Sequence, residues 1–128
     1  MSRSIPRVVI TGVGAVTPIG NTATEFWAGM MEGRSGAAPI TRFDASEFDT
    51  RFAAEVKNYD PLLVISRKEV QRMDLFAQFA MSAAVMAVEN SGIEFEKTDR
   101  NRIGVVFGSG IGGMWTYHHQ QQNLYERG

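Results

Sequence analysis

The chain has 128 residues, of which 44% are hydrophobic, 10% aromatic and 21% charged, the composition of a soluble globular protein rather than a disordered or collagen-like one. A formal net charge of −1 gives no electrostatic reason to expect nucleic acid or a general membrane surface as partner, and zero cysteines exclude disulfides, thiolate zinc sites and a thiol nucleophile within these residues. One domain is the most this length holds, with no internal boundary over 1–128, and a layered α/β fold with several parallel strands ordinarily needs more residues to cover both sheet faces.

The opening residues, Met1 to Arg7, lead into too few apolar positions for a secretory signal, so the expected location is the cytoplasm. Val8-Val-Ile10 reads as a strand covered on both faces, followed by a turn at Gly12, Gly14 and Gly20. Thr22 and Glu25 have capping-box spacing. Phe26, Trp27, Met30 and Met31 then share one helical face before Gly33 ends the helix. Residues 35–50 read as an irregular crossing, and Phe52, Ala54 and Val56 alternate as in a short strand.

Ser66 and Glu69 form a second capping box, which heads a long helix running to about Glu89 and stopped by Asn90-Ser-Gly92. On it Gln71, Asp74, Gln78, Ser82 and Glu89 mark a narrow polar stripe. Met73, Phe76, Phe79, Ala80, Ala83, Ala84 and Ala87 cover the buried remainder, the alanines allowing a neighbour to approach closely. The apolar run from Leu75 to Val88 falls short of the roughly 20 residues a bilayer requires. Residues 94–101 form a charged connector, and 103–107 read as a second buried strand running into the glycine loop 108–113. Residues 114–127 are expected to be helical, with Trp115, Leu124 and Tyr125 as apolar contacts. The order is that of an α/β fold.

Several chemistries are suggested and fail on spacing. Gly12-Val-Gly14 after a strand invites a nucleotide site, but Thr17 and Pro18 stand where the third glycine of a dinucleotide fingerprint belongs, and no lysine follows in P-loop spacing; a structural tight turn remains. Ser109 does not sit in a nucleophile elbow, because Phe107 and Ile111 replace the flanking glycines. His118 and His119 are adjacent rather than four apart, so they form no helical metal pair, and no two carboxylates suggest acid/base work. Arg67, Lys68 and Arg72 gather positive charge at the start of the long helix. They read either as a docking patch or as an ordinary charged helix end diluted by Glu69 and Asp74.

Four stretches in register resemble the thiolase-fold ketosynthases, and specifically the β-ketoacyl-[acyl-carrier-protein] synthases of the synthase II type. They are Arg7-Val-Val-Ile-Thr-Gly-Val-Gly-Ala-Val-Thr-Pro-Ile-Gly-Asn21, Gly33-Arg-Ser-Gly36 with Arg42-Phe-Asp44, Ile65-Ser-Arg-Lys-Glu-Val-Gln-Arg-Met-Asp74, and Arg102-Ile-Gly-Val-Val-Phe-Gly-Ser-Gly-Ile-Gly-Gly113. The resemblance implies the N-terminal portion of an α/β, thiolase-like layered αβαβα fold, working as a homodimer without cofactor. The implied reaction is a decarboxylating Claisen condensation of acyl and malonyl thioesters carried on the phosphopantetheine arm of acyl carrier protein. The family's catalytic cysteine, two histidines and lysine have no counterpart in these residues, so no catalytic residue is carried over. By position, Ile111 with Gly110 resembles the element that gates the acyl tunnel, and Lys68, Arg72 and Arg67 resemble the basic positions that dock the carrier. Gln71 departs from the family, which commonly has a basic residue there. A polyketide ketosynthase, a non-catalytic ketosynthase-like partner and an unrelated nucleotide-binding unit are the alternatives. Large apolar faces are expected to lie exposed when these residues stand alone.

Overall fold

The computed structural model describes residues 5–128, and its first helix starts where the capping signal places it. Thr22 takes extended backbone angles and its hydroxyl accepts the Glu25 N–H at 3.1 Å, opening α1 at Ala23–Met31. The Glu25 carboxylate reaches one residue further back than a capping box requires, to the Asn21 N–H at 2.8 Å. Gly33, at φ +67°, turns the chain out of the helix, and the Arg34 N–H returns to the Gly29 carbonyl at 2.8 Å. The buried face differs from the expected one: Gly29 is buried against Ile19, whereas Trp27, Met30 and Met31 stand exposed.

The crossing segment expected to be irregular supplies a strand. β1 (Ala38–Pro39) pairs antiparallel with β2 (Phe52–Ala53), Ala38 opposite Ala53 and Pro39 opposite Phe52. Pairing ends before Ala54 and Val56, where alternation predicts it to continue. Pro39 has no N–H to offer a ladder, and past Ile40 the Thr41 N–H and hydroxyl turn to the Glu55 carboxylate at 3.2 and 2.6 Å.

The long helix is in fact two. Ser66 and Glu69 make both halves of a capping box at the head of α2 (Arg67–Val70), but the chain then leaves the helix. Asp74 takes extended angles (φ −67°, ψ 158°), and α3 runs from Leu75 to Ser91 with Gly92 at φ +65° as its stop. Ser66 and Asp74 are both residues suited to an N-cap, and each starts its own helix. Gln78 bridges the break, its Nε2 donating to the Met73 carbonyl at 2.9 Å and the Val70 carbonyl at 3.3 Å.

This inverts part of the expected helix polarity. Gln78 and Ser82, assigned to the exposed stripe, are the buried residues of α3. The Tyr59 hydroxyl lies 2.9 Å from the Gln78 carbonyl and 2.8 Å from Ser82 Oγ, and its ring meets Phe79 edge-on at 4.8 Å. Polar side chains can occupy the inner face because their hydrogen bonds are made there. The alanines of α3 do accept a close neighbour, as expected. A Cβ added to Gly12 would lie 2.7 Å from the Ser91 nitrogen, and one added to Gly14 would lie 2.8 Å from the Ala87 nitrogen, so only glycine lets this turn rest on the helix backbone.

The two expected strands are not formed: neither Val8-Val-Ile10 nor residues 103–107 is paired in a sheet. Val8, Ile10, Val105 and Val106 are each at least 80% exposed. A strand covered on both faces exists only between hydrogen-bonded neighbours and flanking layers, and these segments have none among the described residues. Burial is correspondingly sparse. Ala45 and Ile65 are the buried hydrophobic residues, and the accessible surface of 10849 Å² is far above the roughly 6,800 Å² expected of a folded monomer of 14.2 kDa. The exposure of apolar faces expected from the sequence is therefore observed. The charged connector forms two single 3-10 turns, Phe95–Lys97 and Arg100–Arg102, and α4 covers Met114–Arg127 as predicted. No helix among the described residues is long and apolar enough to cross a membrane.

Candidate functional site

The glycine turn after residue 10 is occupied by packing. Gly12 and Gly14 close on α3, and the Val13 N–H, one of the groups a phosphate would need, donates to Asn90 Oδ1 at 3.0 Å. The structural reading of this turn holds.

The basic cluster stands differently. Arg67, Lys68 and Arg72 are exposed, and among the described residues none makes an ion pair. The two carboxylates expected to dilute them are committed elsewhere. Glu69 accepts from the Ser66 hydroxyl and, at 3.2 Å, from the Ser66 N–H; the hydroxyl bond first, then the backbone bond, hold its carboxyl below the ordinary range. Asp74 accepts from the Thr116 N–H at 2.9 Å and the Thr116 hydroxyl at 2.8 Å, and that backbone N–H is the main reason its carboxyl also lies below the ordinary range. Arg67, Lys68 and Arg72 thus face solvent on and just after α2 without an ion pair, beside two carboxylates that stay ionised, and offer cations to an anionic partner.

Thr116 is the third residue of α4, so Asp74 caps that helix from outside while making no side-chain cap bond to α3, whose N-cap it is. The cap anchors the far end of the glycine loop. A Cβ on Gly113 would lie 3.4 Å from Asp74 Oδ2, and within the loop Ser109 Oγ accepts the Gly112 N–H at 3.1 Å while Gly112 holds φ +85°. Gly110 is open to solvent and Ile111, on the same turn, is 81% exposed. The sequence reading missed the role of Asp74 because its partner lies 42 positions away and no local spacing signals the pair.

Beside this junction a cleft is lined by Arg42, Gln71, Asp74, Trp115 and His119. The His119 ring meets Trp115 edge-on at 5.0 Å, and His118 points elsewhere on the helix surface, 6.1 Å from its neighbour. No group of three or more potential metal ligands occurs among the described residues. Among the described residues the geometry shows an exposed basic segment, a carboxylate tie from Asp74 to α4 and an exposed apolar side chain on the glycine loop.

Comparison with known proteins places this arrangement. The solved structure titled the ishigamide ketosynthase/chain length factor superposes with a TM-score of 0.79 at 33% identity, covering 92% of this chain and 30% of that one. A type II polyketide synthase acyl-carrier protein in complex with its ketosynthase bound to the hexaketide gives a TM-score of 0.72 at 25% identity, covering 94% and 30%. The fold is therefore the N-terminal portion of the layered, thiolase-like α/β fold of ketosynthases.

Residues 6–128 match the family model of the β-ketoacyl synthase N-terminal domain, and the chain belongs to that family. It is similar to the 3-oxoacyl-[acyl-carrier-protein] synthase 2 of Coxiella burnetii, 53% identical over 108 residues that make up 84% of this chain and 26% of that protein. The chain thus spans under a third of the length of the relatives it matches.

Proposed function

We propose that these residues form the N-terminal part of a 3-oxoacyl-[acyl-carrier-protein] synthase that elongates fatty acyl chains. The observation that carries this reading is the family match over residues 6–128 together with 53% identity to a synthase 2. In the proposed reaction a cysteine thiolate outside these residues takes the acyl group from its carrier thioester and releases the carrier thiol. Malonyl carrier protein then loses carbon dioxide, and the resulting enolate attacks the acyl-enzyme thioester. A carbon–carbon bond forms, the cysteine leaves as thiolate, and the product is a 3-oxoacyl thioester two carbons longer. Two histidines and a lysine, also outside these residues, support decarboxylation, and no cofactor is needed beyond the carrier's phosphopantetheine arm.

Within the chain, the exposed and unpaired Arg67, Lys68 and Arg72 support docking of the acidic carrier, whose encounter and register such charges steer. Ile111, with Gly110 beside it, is proposed to meet the acyl chain, as its exposed position on a glycine turn allows. The working form is proposed to be a cytoplasmic homodimer in which residues 1–128 and the remainder of the synthase make one domain. The unpaired Val8-Val-Ile10 and 103–107 segments would be central strands of that domain, and their exposure here supports this.

The test is condensation by the complete protein. With acyl and malonyl carrier proteins supplied, the expected product is a 3-oxoacyl carrier two carbons longer with one carbon dioxide per turnover. Carrier binding without product would instead make the protein a non-catalytic ketosynthase-like partner.

A further inference from the structure

Among the described residues, the only hydrogen bonds joining residues 104–128 to the rest of the chain are the two that Asp74 accepts from Thr116, at 2.9 and 2.8 Å. Everything else in that segment bonds locally. Ser109 Oγ takes the Gly112 N–H at 3.1 Å, and the Tyr117 N–H returns to the Gly113 carbonyl at 2.9 Å. Ile111 is therefore carried on a turn whose α4 side is tied to the rest of the described residues by a single carboxylate.

The tie is short. Only Gly112 to Trp115 separate Ile111 from Thr116; Gly112 is fixed at φ +85°, and Gly113 rests against both Asp74 and Phe76, where a Cβ would meet atoms at 3.4 and 3.8 Å. The Thr116 N–H is the main group holding the Asp74 carboxyl low; the Leu75 and Phe76 N–H groups of its own helix contribute less, and no side-chain cap bond to α3 of good geometry is made. An N-cap residue normally gives its oxygen to the helix it starts. Here that oxygen is given instead to the helix that follows the glycine loop.

We propose that Asp74 is a positioning residue for acyl-chain selection. By capping α4 at Thr116, its carboxylate fixes where Ile111 stands relative to the start of α3, and with it the length of acyl group that the enzyme elongates. The inference rests on the condensing activity and the acyl-facing Ile111 proposed above. Fixing an apolar filter through a neighbouring hydrogen-bonded group is the ordinary way a site holds its geometry.

The decisive variants act on Thr116, which touches no reacting group in this reading. In the complete enzyme, Thr116→Val removes the hydroxyl donor while keeping the backbone N–H and nearly the same shape, and Thr116→Ser keeps both donors. Expected is a change of about tenfold in the ratio of kcat/KM for long against short acyl primers in Thr116→Val, the lower end of the scale of one lost hydrogen bond to a charged group. Thr116→Ser should restore the wild-type ratio, and primer-independent decarboxylation of malonyl carrier protein should be unchanged in both. Asp74→Asn, which keeps an acceptor but loses the charge, should shift the ratio in the same direction. A ratio that does not move, or equal losses on both primers, overturns the positioning role. Wild-type turnover in the same assay reports the condensing reading separately: with turnover present and the ratio unmoved, only the latch falls, whereas no turnover removes the condensing reading itself.

Discussion

Gly14→Ala in the complete enzyme tests the packing of the opening segment on α3. The added methyl carbon would lie 2.8 Å from the Ala87 nitrogen and closer still to the Ala83 carbonyl oxygen, well short of the 3.4 Å at which ordinary contact begins. Both obstacles are helix backbone, which cannot swing aside as the end of a long side chain can. The cost therefore sits at the upper end of the range for overpacking, about 3 kcal/mol. Replacing glycine by alanine also restricts the unfolded chain and returns about 0.4–1 kcal/mol, so the net loss is about 2 kcal/mol. Gly33→Ala is the control: at φ +67° with nothing within 4 Å of the new carbon, it suffers only the left-handed penalty of about 1–2 kcal/mol less the same unfolded-state return, a net loss of about 1 kcal/mol. Urea unfolding followed by circular dichroism measures both. Gly14→Ala should lower the midpoint about twice as far as Gly33→Ala, and a Gly14→Ala midpoint at or above wild type would refute the close approach.

Other consequences concern charge and the glycine loop. Lys68→Glu combined with Arg72→Glu should weaken carrier binding by about tenfold and flatten its salt dependence, read by titration calorimetry at two ionic strengths; unchanged affinity would return the cluster to an ordinary helix end. Ile111→Phe should depress kcat/KM for long acyl primers about tenfold more than for short ones, and equal losses would remove the gating role. Asp74 gives an acid limb. Its folded carboxyl is held below the ordinary 3.8 by Thr116, so its contribution is complete above that value and is lost as the pH falls through the lower folded one. Asp74→Asn should therefore make stability below about pH 4 less steep in pH than wild type, measured by melting temperature across an acid series.

Local chemistry was the most legible part of the sequence. Thr22, Ser66 and Glu69 cap where their spacing says, and Gly33 and Gly92 stop helices at positive φ. These signals depend on atoms within a few residues of one another. The same logic failed at Asp74, because the capping box at Ser66 reads straight into the apolar run from Leu75 and only the second N-cap residue marks the break between α2 and α3. Gln78 and Ser82 were misplaced because their burial depends on the Tyr59 hydroxyl, which hydrophobic periodicity does not register. The two apolar strand segments were recognisable by composition. Yet pairing is a property of two segments and not of one, and neither segment is paired among the described residues. At the candidate site, the basic cluster was legible from charge patterning, its docking role and Ile111 came through resemblance, and the latch between Asp74 and Thr116 emerged only from the fold.

In the function proposed above, residues 1–128 are the front of a cysteine-dependent condensing enzyme. Intact-protein mass spectrometry of the protein isolated from its source, before and after incubation with an acylated carrier protein, tests it most directly. The account predicts a mass several times the 14.2 kDa of this chain and a gain of one acyl group. A species at 14.2 kDa that takes up no acyl group would contradict it.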